Sequence, residues 1–175
     1  MSEAEEQRMI AAALATEEES AEQKLYIGAS IGVDAVRAFR SPHARGLGAS
    51  ASFTAKQRTD VGSVVAQFGI SAWPSALYRG PEQAEERLDS WEAFLTAAIH
   101  PLTLGPLDLG FYLLLAAGHN LQTDVADRVA LGVSAQWSFD RMWALRYQFG
   151  CTMETNIVSL GMVSALAIDM VFPYS

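Results

Sequence analysis

The chain of 175 residues is poor in several things at once. Its single cysteine, Cys151, leaves no internal disulfide framework and no cysteine-based zinc site. Charged residues make up only 18% of the chain, and 12 Lys and Arg face 20 Asp and Glu, for a net charge of −8. That balance lacks the clustered cations a nucleic-acid backbone requires. No apolar run reaches the roughly 18 residues of a membrane-spanning helix. The start, Met1-Ser2-Glu3-Ala4-Glu5-Glu6, lacks the basic leading region of a secretory signal peptide. Low hydrophobicity is absent too: half of the residues are apolar, which excludes a disordered chain. No cofactor or metal is expected. The length suits one domain of ordinary size.

What is there divides into two parts. Residues 1–24 carry seven acids against Arg8 and Lys24, have neither Gly nor Pro, and are rich in Ala, Glu and Gln. This composition favours helix. Ser2 with Glu5 and Thr16 with Glu19 fit capping boxes, so an acidic helical segment is expected over 1–24. From Leu25 the period changes to two. Leu25, Ile27, Ala29, Ile31 and Val33 alternate with Tyr26, Gly28, Ser30, Gly32 and Asp34, the signature of a strand. Similar segments recur to give eight strands, near 25–35, 47–56, 64–72, 91–99, 107–115, 128–137, 143–154 and 158–172.

These strands are long, about 10–13 residues, whereas 5–6 is usual in soluble proteins. A tilted strand crossing a bilayer needs roughly 9–11. Longer connections are expected at 37–45, 77–90 and 119–127, and shorter ones at 59–61, 101–106 and 140–142. In an up-and-down meander the longer loops then share one end.

The two faces differ sharply. Asp34, Lys56, Arg58, Glu92, Asp108, Arg128, Arg146, Glu154 and Asp169 all fall on the face that carries most of the glycines and serines, and the other face is almost wholly apolar, with Gln57 and Ser164 its main polar residues. A water-facing surface usually has about 25–35% charged residues. Glycine on an exposed strand face weakens the sheet without gain. Inside an eight-stranded barrel, just wide enough to be filled by side chains, small residues and paired charges fit. The expected fold is therefore all-β, an eight-stranded antiparallel up-and-down transmembrane β-barrel over 25–175. Asp34, Lys56, Glu92, Arg128, Arg146, Glu154 and Asp169 would form an interior ion-pair network. Trp73, Trp91, Trp137 and Trp143, near strand ends, would stand at the membrane interfaces.

With this pattern the sequence resembles the small eight-stranded outer-membrane barrels of Gram-negative bacteria. The resemblance implies a bacterial outer-membrane location, the lipid bilayer as surroundings, and a structural or interaction role with a protein partner met through the long loops or the N-terminal helix. It also implies an aromatic C-terminal residue. Here the chain ends Phe172-Pro173-Tyr174-Ser175, with the aromatics set back from the end. Wide aqueous channels need roughly 16 strands, so an open pore is not expected. Two other readings stay open at this point. One is an enzyme acting on outer-leaflet lipid, with His43, His119, Ser41, Asp124 and Asp127 near one end. The other is a soluble lipocalin-like barrel whose apolar face lines a cavity for a hydrophobic ligand. His100, beside Pro101, reads as a rim residue.

Overall fold

The computed structural model of the chain describes residues 25–38, 45–59, 62–79, 85–120, 123–154 and 159–174. Their eight strands are β1 (Leu25–Ala38), β2 (Arg45–Thr59), β3 (Gly62–Arg79), β4 (Glu85–Leu104), β5 (Leu107–Asn120), β6 (Thr123–Ser138), β7 (Trp143–Glu154) and β8 (Ser159–Tyr174). Each pairs antiparallel with its sequence neighbours, and β1 also pairs with β8 from Leu25↔Tyr174 to Ala38↔Gly161, closing the barrel. The N-terminal segment 1–24 lies outside the described residues.

Alternation sets the faces, as strand geometry requires. Phe111 and Leu131 are 66% and 64% exposed on the outer wall, while Arg146 and Asp169 are 5% and 0% exposed within the lumen. An apolar-lined cavity of the lipocalin kind is not what the lumen offers: most large apolar side chains point away from the axis, and the inward ones, Val65, Ala98, Tyr112, Ala130 and Val163, pack against one another among polar neighbours. Ser164, one of the few polar residues on the outer wall, donates a hydrogen bond to Tyr147 Oη at 3.3 Å.

The strands run longer than the alternation marks. β3 and β4, at 18 and 20 residues, stay paired out to Arg79↔Glu85, and β5 and β6 to Asn120↔Thr123. The long connections expected at 77–90 and 119–127 are thus largely strand. Backbone ladders extend there without an apolar face to mark them, because inter-strand hydrogen bonds do not depend on side-chain polarity.

At the other end, which also holds Leu25 and Tyr174, the turns are tight. Gly105, at φ +62°, takes the first central position of the two-residue β4–β5 turn, where a type II′ hairpin favours glycine, and Pro106 follows it. In the β6–β7 turn, Asp140 Oδ1 accepts from the backbone N–H of Met142 (2.7 Å) and of Trp143 (2.9 Å). A register shift between Ile99 and Leu102 places a bulge at His100-Pro101, where a residue without an N–H is tolerated.

Candidate functional site in the barrel lumen

The inward positions of the strands bring two polar clusters together. Nearer the tight turns, Thr103 Oγ1 donates to Asp108 Oδ1 (2.8 Å), and Lys56 Nζ reaches both Asp108 Oδ2 and Gln136 Oε1 at 3.1 Å. Gln136 Nε2 donates to Asp169 Oδ2 at 3.3 Å. Arg146 Nη2 lies 3.2 Å from Asp169 Oδ1, a charge contact without hydrogen-bond alignment, and its aligned bond goes to Ser30 Oγ at 3.2 Å. This chain of contacts touches every strand except β3. Beside it, His100 is 0% exposed, with Nδ1 3.3 Å from Ser63 Oγ and Nε2 3.0 Å from Ser134 Oγ. The expectation of a rim position for His100 is corrected: β4 continues to Leu104, so position 100 still faces the lumen.

Toward the other end, Arg128 forks onto Glu92, Nε to Oε2 at 3.2 Å and Nη2 to Oε1, and Ser71 Oγ donates to the same Oε1 at 2.9 Å. The Trp73 ring lies 5.5 Å from the Arg128 guanidinium carbon, within cation–π range. Trp73 is therefore not an interface residue. It is 6% exposed inside the barrel, because its odd position in β3 shares the inward face of Gln67, Gly69 and Ser71. Trp91, Trp137 and Trp143 do stand on the outer wall, the first toward one end and the other two flanking the β6–β7 turn. Trp137 packs edge-on against Phe139 at 5.2 Å.

Of the seven charged residues singled out from sequence, Lys56, Arg146 and Asp169 share the first cluster, and Glu92 and Arg128 form the second. Asp34 joins neither; among the described residues it makes no ion pair, and it lines a void between the clusters. Glu154 stands opposite Arg128 in the β6–β7 register, but its side chain lies outside the described residues. Asp108, on the charged face yet not singled out, is the carboxylate that Lys56 needs. Arg58 is exposed at the tight-turn mouth, beside a pocket of about 350 Å³ that Lys56, Gln136 and Arg141 also line. The neutral members, Gln136, Ser30, Ser63, Ser71, Thr103 and Ser134, carry no charge to mark them, and inward parity is their only signal. Ser41 and His43, and the side chains of His119, Asp124 and Asp127, lie outside the described residues.

Buried ion pairs of this kind are close to neutral in net stability, since desolvation offsets attraction, whereas removing one partner costs about 3–5 kcal/mol. The members of each cluster thus depend on one another. Among the described residues, no group of His, Cys, Asp and Glu is placed to hold a metal ion.

No protein-family model matches this chain, and no curated protein does. Among solved structures, the crystal structure of Neisserial surface protein A aligns with 83% of this chain and 96% of that one, at 14% identity and a TM-score of 0.44.

Proposed function

We propose that the protein is a transmembrane β-barrel of the bacterial outer membrane with a structural or interaction role, its lumen filled by side chains. The observation that carries this reading is the sidedness of the wall: Ile31, Phe68, Phe111, Leu131 and Phe149 face outward, while Lys56, Glu92, Asp108, Arg128, Arg146 and Asp169 face inward. A wall so apolar is a liability in water and suits hydrocarbon, which offers no partners to charged groups. The outward apolar stretch of β4 runs from Trp91 to Leu104. At a strand rise near 3.3 Å and a tilt near 40°, that spans roughly 33 Å, enough to cross a hydrocarbon core about 30 Å thick. Trp91 at one end and Trp137, Phe139 and Trp143 at the other then form the aromatic girdles.

The partners are the bilayer itself and a protein approached through the extended β3–β4 hairpin or through residues 1–24. That acidic segment joins Leu25 at the mouth where Arg58 and Arg141 are exposed.

The test is electrophoretic and electrical. The purified protein needs detergent, migrates differently on gels with and without boiling, and gives no steady channel conductance in planar bilayers. Monodispersity without detergent would defeat the membrane assignment. Large conductance steps would defeat the plugged lumen. Fatty-acid release from lipopolysaccharide would replace the structural role with an enzymatic one.

A further inference from the structure

We infer that the void between the two lumen clusters is a binding site for water, holding about two ordered molecules that link Asp34 to Arg146. The void has a volume of about 30 Å³ and is lined by Asp34, Ser50, Ser52, Tyr112, Arg146 and Gln148, among others. A bound water needs roughly 10–15 Å³ of such space and two to four polar partners. Tyr112 Oη, Arg146 Nη1 and Gln148 Nε2 are buried and have no hydrogen-bond partner among the described residues. All three residues line this one void. Buried polar atoms in folded proteins are overwhelmingly satisfied, so three orphans around one space point to a ligand rather than to chance.

The chemistry of the orphans selects the ligand. Arg146 Nη1 and Gln148 Nε2 only donate, which excludes a bare metal cation. Asp34 supplies a carboxylate to the same space. Among the described lumen groups, Asp34, Glu92, Asp108 and Asp169 outnumber Lys56, Arg128 and Arg146, so a further anion adds repulsion. Water accepts from the two nitrogens and donates to Asp34 and Tyr112, meeting both demands at once. It extends the first cluster from Arg146 to Asp34, Tyr112 and Gln148. This inference stands whether or not the wall faces lipid.

The experiment has two arms. In a crystal structure at about 2 Å resolution, density peaks lie within hydrogen-bonding distance, about 2.7–3.2 Å, of Tyr112 Oη, Gln148 Nε2 and Arg146 Nη1. An empty void, or a peak that bromide soaking replaces with anomalous signal, overturns the assignment. The second arm is Tyr112→Phe in urea unfolding. Over a dry void the change deletes an unsatisfied hydroxyl and raises the midpoint; over a hydrated one it removes a bond to water and lowers it. A lowered midpoint supports the site, and an unchanged or raised midpoint overturns it. If the variant does not fold, the crystallographic arm decides.

Discussion

Placing a charge at mid-height on the outer wall separates a lipid-facing barrel from a water-facing one by both sign and size. Leu131 faces outward and sits opposite Leu113 on β5 and Cys151 on β7. Six residues further along β6 stands Trp137. With a rise near 3.3 Å and a tilt near 40°, Leu131 lies roughly 15 Å from that aromatic rim, half of a hydrocarbon core about 30 Å thick. Arginine at the midplane of such a wall costs about 2–4 kcal/mol, and near the interface about 0–1. Leu131→Arg is therefore expected to shift the unfolding equilibrium about 30- to 700-fold toward unfolded chain in phospholipid vesicles. Leu131→Ala supplies the reference that removes the leucine without adding charge, and Met142→Arg, beside the tight turn, supplies the rim control. Urea titration followed by tryptophan fluorescence reads all three. On a wall facing water, Leu131→Arg would match Leu131→Ala and improve solubility. Agreement of those two variants within about 0.5 kcal/mol would refute the sidedness argument, because isolated surface substitutions fall in that range.

Three further outcomes follow from the lumen and turns. Arg128→Met leaves the Glu92 carboxylate with Ser71 alone and lowers stability by about 3–5 kcal/mol, whereas the double variant with Glu92→Gln recovers most of it; a double-mutant cycle in urea reads the coupling, and additivity would show the pair to be hydrated. Gly132 faces Gly150 across β6 and β7, and a Cβ on Gly132 would press into the Phe149 carbonyl and the Gly150 backbone. Gly132→Val is therefore expected to cost about 3 kcal/mol by overpacking, seen as a lowered urea midpoint and less folded form on unboiled gels. Gly105→Ala meets no neighbouring atom, so only its left-handed backbone resists, at about 1 kcal/mol in the same titration.

The barrel was legible because a closed sheet with opposed faces writes a period of two into every strand. Ile31, Phe111 and Leu131 on one face of their strands and Asp34, Arg146 and Asp169 on the opposite face of theirs were enough to assign the sides. Strand ends were less legible. Pairs such as Leu77↔Arg87 and Tyr78↔Glu86 hold by backbone bonds in a stretch whose side chains do not alternate cleanly. Trp73 shows how residue type can mislead where parity does not: tryptophan near a strand end suggests an interface, but its position in β3 turns it inward onto Arg128. His100 was misplaced for a related reason, since Pro101 reads as the end of a strand when it occupies a bulge within one. Sequence named the charges of the lumen but not their matches. Which acid meets Lys56 depends on the stagger of strands far apart in the chain, and Asp108 reaches it only once the sheet has curled.

The seam between β1 and β8 has a consequence for how the molecule comes into being. Every other junction links consecutive strands and forms by local zippering. This one joins the two extremes of the described chain, so its loop-closure entropy must be met before its ladder yields anything. Until then both flanks expose unpaired amides, inviting mispairing with another nascent copy. Loss of the final strand would not merely shorten the cylinder. It would open it into a ribbon with two raw borders and leave Arg146 without its carboxylate.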